Sequence, residues 1–371
     1  MSTRPIDGVK HIDGVVKDWG DRLDYGRVRA RKGRRTIAGN RHHRGPAPVK
    51  RTNARDKLLA TVRKVPEVMV KISGGGKDLR SIKAHLDYVT RNGAIELEDE
   101  QGQVHQGKEE VRGVRDDWRG SVIPHENGTR REAFNIVLSM PPGTDRAAVK
   151  NAARAFAAEL FSNHQYVFAA HDDEKHPHVH LVVKAVDKEG VRLNPRKADL
   201  QHWRETFAEK LREQGIQANA TPRRARGIVK RPEKQAVFHL NQEHAKGKRA
   251  APARVTAAQH QAAELEARTG QKHVNPAEQK IATRRAQVQH DFGTVARALA
   301  TGTDDDKRLA LEIVRFVQQM PPLRTRHAEQ VDALRRAGGA AGQHVERQQP
   351  EKKIDGPERG GSGSQKDRDR Q

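Results

Sequence analysis

The sequence predicts an α/β (α+β) fold. A sheet-and-helix domain over residues 67–227 lies between a basic, largely disordered N-terminal extension (1–66) and a helical, then disordered, C-terminal region (228–371). Three observations carry this reading. Charge is uneven: 1–66 hold 18 Lys/Arg against 6 Asp/Glu, 67–227 hold 26 against 24, and 228–371 hold 27 against 18. Only the near-neutral middle stretch also carries apolar runs with the periods of strands and helices. Finally, hydrophobic residues are 34% and aromatics 4% of the 371 residues, well below the roughly half-apolar average, so one core is not expected to use the whole chain.

Taken in order, the first segment contains the basic run RVRARKGRR at 27–35 and a turn-rich stretch around Pro46 and Pro48. Its apolar residues look scattered, which predicts an arm that orders on meeting a partner. A short helix is expected near 56–63. VMVKIS at 68–73 reads as a strand closed by Gly74, Gly75 and Gly76. Residues 78–92 follow as a helix with Ile82, Leu86 and Val89 on one side and Gly93 as its stop. AFNIVLSM at 133–140 is a second strand, and 145–161 a helix with Val149, Ala153, Phe156 and Leu160 along one side. Residues 166–171 and 178–186 are two strands joined by a polar turn. A helix over 199–214 spaces Leu200, Trp203, Phe207 and Leu211 for packing, which favours a core role for Trp203 over base stacking. This order implies an antiparallel or mixed sheet with helices on one face. Further on, 304–320 reads as a helix opened by acidic residues and stopped by Pro321 and Pro322, and 338–371 read as disordered.

Composition narrows the function. A formal charge of +23 and a pI near 10.4 favour polyanionic partners, nucleic acid before membrane. No run of about 18 apolar residues is long enough to insert into a bilayer, and no secretory signal is legible. The chain has no Cys, which excludes disulfide scaffolds, thiolate zinc sites and cysteine nucleophiles. A cytoplasmic location is the expectation.

The chemistry concentrates in HDDEKHPHVH, His171–His180. Alternate strand residues share a face, so His178 and His180 point the same way about 6.5–7 Å apart. A hairpin through 172–177 brings His171 beside them, and three imidazoles can then hold one divalent ion while leaving positions open. Two histidines on an otherwise apolar strand are costly to bury without a partner, which argues for ligation over a histidine-rich surface turn. Asp173 and His176 lie in the turn and are candidates for orienting ligands or moving a proton; equally, they suit a solvated turn. Phosphodiester chemistry needs a nucleophile, and the tyrosines are Tyr25, Tyr88 and Tyr166. At about 100° per residue Tyr88 stands about 200° round the helix from Leu86, off the apolar stripe. Composition alone does not choose among them.

Residues 68–99 (VMVKISGGGKDLRSIKAHLDYVTRNGAIELED), IVLSMPPGTD at 136–145, HDDEKHPHVHLVVK at 171–184 and ATPRRARG at 220–227 resemble, in order, the motifs of plasmid DNA relaxases. The resemblance is to the P class, which includes the T-DNA border endonuclease of the Vir system. It implies the HUH-endonuclease fold, a five-stranded antiparallel sheet flanked by helices, and a strand-specific nick at an origin of transfer. It implies that Tyr88, in LDYVTRNG, is the nucleophile, that His171, His178 and His180 are the metal ligands, and that Ser139 touches DNA beside the scissile phosphate. Asp173 matches an acidic position that assists the tyrosine or a ligand. Lys184 stands where many relatives carry Asn, so no role passes to it.

A free phenol titrates near about 10, so the tyrosine must lose a proton as it attacks. A hydroxide on the ion, His176 or Asp173 could accept it. Imidazole ligation suits Mn or Zn, whereas Mg prefers oxygen; the resemblance implies Mg or Mn. The basic residues Arg223, Arg224 and Arg226 and the N-terminal arm are expected to hold the DNA backbone. The implied partners are single-stranded or supercoiled plasmid DNA at the origin of transfer, relaxosome accessory proteins and a type IV coupling protein, with passage through type IV secretion. The rival readings are a rolling-circle replication initiator, which usually carries its tyrosine after the histidine strand, and a non-catalytic DNA-binding accessory protein.

Overall fold

In the computed structural model, which describes residues 6–23, 53–119, 123–228, 233–271 and 278–346, the apolar runs of the middle segment pair into one antiparallel sheet. The chain begins with α1 (Ile6–Leu23) and α2 (Ala54–Val62), then β1 (Met69–Gly74) and α3 (Leu79–Val89). Next come β2 (Leu97–Asp99), β3 (Val104–His105), α4 (Lys108–Arg119), β4 (Ala133–Ser139), α5 (Arg146–Leu160), β5 (Tyr166–His171), β6 (His178–Lys184) and α6 (Lys197–Glu213). The sheet order is β1-β4-β6-β5-β2-β3. Six strands are present where five were expected, and the two outermost on the β5 side, β2 and β3, are short.

Strand alternation sorts side chains to two faces. Phe134, Ile136 and Leu138 of β4, Tyr166 and Phe168 of β5, and Val179, Leu181 and Val183 of β6 pack against α5 and α6. Trp203 is buried there, edge-on to Phe161 at 5.3 Å between ring centres, so its role is core packing. On the other face Ala133, Val167, Ala169 and Val182 meet Ile82, Leu86 and Val89 of α3 and Val111, Val114 and Trp118 of α4. Helices therefore cover both faces, not the single face that the order of elements implied, because α4 closes the side on which α3 lies.

The stretch 1–66 is not wholly an arm. α1 buries Ile12, Val16 and Trp19, and α2 buries Leu58 and Val62. They share a core with α9 (Glu278–Leu299) and α10 (Asp304–Gln318), in which Trp19 and Phe316 each lie against Phe292, at 5.4 and 5.3 Å. Thr303 and Asp306 cap α10 reciprocally, and Arg55 of α2 pairs with Asp306. Residues 1–229 and 278–322 thus form one unit: it runs across residue 66, its first stretch ends two residues beyond the expected 227, and 278–322 belong to it as well. The basic run 27–35 lies outside the described residues.

The second unit comprises 230–277 and 323–371. Among its described residues are α7 (Gln235–Ala245), α8 (Arg254–Thr269) and α11 (Arg326–Glu346), with His327 Nε2 2.8 Å from the Glu266 carboxylate between α11 and α8. Helix α11 continues through 346, past the expected onset of disorder at 338; residues 347–371 lie outside the described residues.

Just ahead of β1, Glu67 sits in a polar cluster. Its carboxylate accepts hydrogen bonds from Thr221 N at 2.8 Å and Asn219 Nδ2 at 3.2 Å and faces Arg226 Nε at 3.3 Å. Burial pushes its pKa up to about 7 from 4.5, against the pull of Arg226, Thr221, Lys57 and Asn219. Between those two values the folded chain keeps a proton that the unfolded chain has released. Stability should therefore fall as pH rises through this window, by about 3 kcal/mol in total. Urea denaturation from pH 4.5 to 7.5 should show that slope in the natural protein and lose it in Glu67→Gln.

Candidate functional site

Register assembles the site. Met69 pairs with Ser139, Ser139 with His178, and His178 with His171, one row across β1, β4, β6 and β5. In the next row Lys71, Val137, His180 and Ala169 are aligned in the same way. Directly opposed residues share a face, so all three histidines and Ser139 project to the side that carries α3. The imidazole rings lie 4.4 Å (His171 to His180), 5.1 Å (His171 to His178) and 5.2 Å (His178 to His180) apart, centre to centre. One ligand nitrogen from each falls within 4.8 Å of the others. Among the described residues no other His, Asp or Glu group converges in this way.

Backbone carbonyls set the tautomers. A carbonyl can only accept, so His171 Nε2–H donates to Val89 O at 2.6 Å and His178 Nδ1–H donates to His176 O at 3.0 Å. This leaves His171 Nδ1 and His178 Nε2 as lone-pair donors. His171 Nδ1 and His180 Nδ1 are both buried with no hydrogen-bond partner. Orphaned acceptors beside one another are what an absent cation would satisfy, so the residues fit a divalent ion. Burial, reinforced by the neighbouring imidazoles and Arg91, pushes His180 down to about 3; burial also lowers His171. Neutral rings are the form that ligates.

Tyr88 reaches this cluster from the last turn of α3. Gly76 lets the chain enter the helix: a Cβ there would meet Ile82 Cγ1 at 2.3 Å. Asp78 and Ser81 cap the helix reciprocally, and Ile82, Leu86 and Val89 bury its inner side. Tyr88 stays 52% exposed, as its helical position predicted, yet its ring is hemmed in. His180 stands edge-on at 6.0 Å, His85 stacks at 6.0 Å, and the Arg91 guanidinium lies 5.2 Å from the ring centre. Tyr166 is buried in the opposite core and Tyr25 lies outside the described residues, so Tyr88 is the tyrosine at the cluster.

The turn that follows α3 is unusual. Arg91, Asn92 and Gly93 are left-handed in succession, at φ 51°, 57° and 90°. Glycine is required at the third position, since a Cβ on Gly93 would meet the Gly107 carbonyl carbon at 2.5 Å. From this turn Arg91 pairs with Asp173, whose Oδ1 lies 3.9 Å from His171 Nδ1. Burial is the largest single influence on Asp173 and raises its pKa, but the hydrogen bond and charge of Arg91, with smaller contributions, together outweigh it and hold the carboxyl below its ordinary value. Arg146, at the start of α5, steadies the same loop by donating to His171 O at 3.1 Å and Glu174 O at 2.5 Å.

The site residues expected from sequence thus divide. His171, His178, His180, Tyr88, Ser139 and Asp173 come together. His176 contributes its backbone carbonyl while its ring is exposed. Arg226 is turned to Glu67, Arg224 is half-buried, and Arg223 is exposed on the 3-10 turn Arg223–Arg226. Sequence reasoning missed His85, Arg91 and Arg146. The first two lie three residues either side of Tyr88, where a helix and its terminal turn put neighbours. Burial pushes His85 down to about 4, and its Nε2 is buried without a partner.

Residues 88–216 match the family model of the relaxase MobA/VirD2-like nuclease domain. Among curated proteins, the chain is 30% identical over 187 residues to the T-DNA border endonuclease VirD2 of Rhizobium radiobacter, covering 45% of this chain and 44% of that one. It is 29% identical over 205 residues to the VirD2 of Rhizobium rhizogenes (48% and 46%). To that of Agrobacterium fabrum it is 29% identical over 206 residues (48% and 45%). Each match spans just under half the length of the relative.

If the three imidazoles form the metal site, calorimetry should find one Mn2+ bound per chain. His180→Ala should weaken binding by at least about 100-fold, as losing a direct ligand costs no less than losing its supporting partner. Ser139→Ala, which removes no donor of this set, should leave Mn2+ affinity within about twofold.

Proposed function

We propose that this chain, whose residues 88–216 match the MobA/VirD2-like relaxase nuclease domain, nicks one strand of DNA at an origin of transfer by tyrosine transesterification. The observation that carries the proposal is the placement of Tyr88, exposed on the last turn of a helix, with its ring 6.0 Å from that of His180 in the three-histidine cluster. Tyr88 Oη attacks the scissile phosphorus in line, the P–O3′ bond breaks, and a 5′-phosphotyrosyl bond replaces it. The phenolic hydrogen is lost and the departing 3′ oxygen gains one, so there is no net proton release. Asp173 and His176 are the groups on the β5–β6 turn that carry this proton. Arg91 pairs with Asp173 and holds its carboxyl below the ordinary value, so this group relays the proton and does not retain it. Because one ester is exchanged for another, the reverse attack by a 3′-OH reseals the strand.

His171, His178 and His180 hold the metal, Mg or Mn. When bound, a divalent ion there supplies positive charge to the non-bridging phosphate oxygens as charge builds on them. Ser139, beside His178 in the sheet, contacts the DNA next to the scissile phosphate. The half of this face at β1 and β4 offers exposed Met69 and Lys71 in the histidine rows, a surface for the single strand. Arg223 supplements the hold on the backbone, whereas Arg226 serves Glu67. The second unit, where Phe238, Val255 and Leu265 are exposed, takes the contacts with accessory and coupling proteins that lead to type IV transfer. No helix among the described residues is long and apolar enough to cross a membrane, in keeping with action on plasmid DNA in the cytoplasm.

The test is cleavage of supercoiled or single-stranded DNA carrying the cognate origin, in Mn2+ or Mg2+, resolved with and without protease. Nicked DNA should retain a covalent peptide on its 5′ end. Tyr88→Phe should abolish the adduct by at least about 1,000-fold in rate, and chelation should do the same. Nicking without attachment would identify a hydrolase and remove Tyr88 from its role. Binding without cleavage would favour an accessory protein.

A further inference from the structure

Arg91 joins the two halves of the site. Its guanidinium lies over the Tyr88 ring, 5.2 Å from the centre, and pairs with Asp173 on the turn between the ligand-bearing strands. One side chain thereby ties the last turn of α3 to the β5–β6 turn. Neither contact resembles a stability device. Both members of the ion pair are more than 40% exposed, and exposed pairs contribute little to folding. The backbone that delivers Arg91 is itself strained, because a non-glycine residue at φ 51° is disfavoured. Thr90 supports it by donating from Oγ1 to Leu86 O at 2.7 Å and accepting from Gly93 N at 3.1 Å. A strained turn that places an exposed cation over the one tyrosine at the cluster is a functional arrangement more readily than a folding one.

We propose that Arg91 is the positioning residue of the nucleophile: its cation–π contact holds the Tyr88 ring toward the histidine cluster, and its pairing with Asp173 keeps that ring and the β5–β6 turn in one geometry. Tyr88 is more than half exposed and, among the described residues, makes ring contacts with His180 and His85 besides. Without Arg91 the phenol can turn toward solvent by rotation about χ1. Lysine would keep the charge and lose the planar fork that serves ring and carboxylate together. The proposal rests on reading Tyr88 as the nucleophile, so one of its readouts does not involve activity.

That readout is 19F NMR of the full chain labelled with 3-fluorotyrosine, in which Tyr88→Phe assigns the Tyr88 signal among the three tyrosines. In the absence of DNA and metal, Arg91→Ala should shift the Tyr88 resonance and leave the Tyr166 resonance in place. The second readout is adduct formation on an oligonucleotide carrying the origin. At saturating DNA, Arg91→Ala should slow it by on the order of 100-fold, the penalty for a nucleophile displaced by about 1 Å, with Kd for the oligonucleotide within about threefold. Arg91→Lys should fall between. Adding Asp173→Ala to Arg91→Ala should slow the reaction by less than the product of the two single effects. An unmoved Tyr88 resonance overturns the proposal, as does a rate loss matched by the loss in Kd, which would make Arg91 a DNA-affinity residue. A natural protein that forms no adduct would fail the function reading instead. A natural protein that forms it at the same rate as Arg91→Ala would fail the positioning role alone.

Discussion

The pairing of β5 with β6 is the constraint from which the site follows. His171 stands opposite His178, and His180 lies two residues on, so three imidazoles reach one face within a span of two strand positions. A slip of one residue would send His178 and His180 into the α5/α6 core and bring Val179 and Leu181 out in their place. The register is protected because that exchange would unbury Val183 as well. Packing on the far side of the sheet thus enforces ligand geometry on the near side. The carbonyls of Val89 and His176 complete it by choosing which nitrogen of His171 and His178 stays bare.

Electrostatics within the cluster runs against its own histidines. Burial holds His180, His171 and His85 below the ordinary imidazole value, with neighbouring imidazoles and Arg91 adding to the effect on the first two. Grouping uncharged imidazoles with orphaned nitrogens is unfavourable in the free protein, and the fold tolerates it only where packing over-determines the positions. That unfavourable term would give a divalent cation bound there a preference for the folded state. Asp173 is shifted by a different cause: the hydrogen bond and charge of Arg91 hold its carboxyl below the ordinary value beside these rings.

Much of this was legible in the residues, and the rest was hidden for identifiable reasons. His171, His178 and His180 could be grouped because a period of two and a short turn are local patterns, and Tyr88 stood out by lying off the Ile82–Leu86 stripe. Helix α4 was missed because eight of its twelve residues are charged, although Val111, Val114 and Trp118 form a helical stripe once sought. Strands β2 and β3, three and two residues long, are too short to show alternation. In α1, Ile12, Val16 and Trp19 have helical spacing, but what makes them a core is Phe292, Val295 and Leu299, far along the chain. No local pattern announces that contact. The setting of Arg226 was hidden for the converse reason: a basic triplet does not announce that Glu67, about 160 residues earlier, lies against its third member.

The division of labour between sheet and helix gives the site its mechanical logic. The three histidines lie on central strands paired on both sides, the rigidity that metal ligation would demand. Tyr88 stands on an exposed helix end whose inner side is anchored by Leu86 and Val89, as the proposed role of a nucleophile that stays bonded to its substrate would demand. These two demands would leave Tyr88 well placed in its backbone and loose in its ring. Three side chains from three places, His85 on α3, His180 on β6 and Arg91 in the turn, surround the ring without enclosing it. Of these, His180 is a member of the histidine cluster and His85 is half-buried on the helix itself. Of the three, only Arg91 reaches the β5–β6 turn, through Asp173, and only Arg91 has a left-handed backbone.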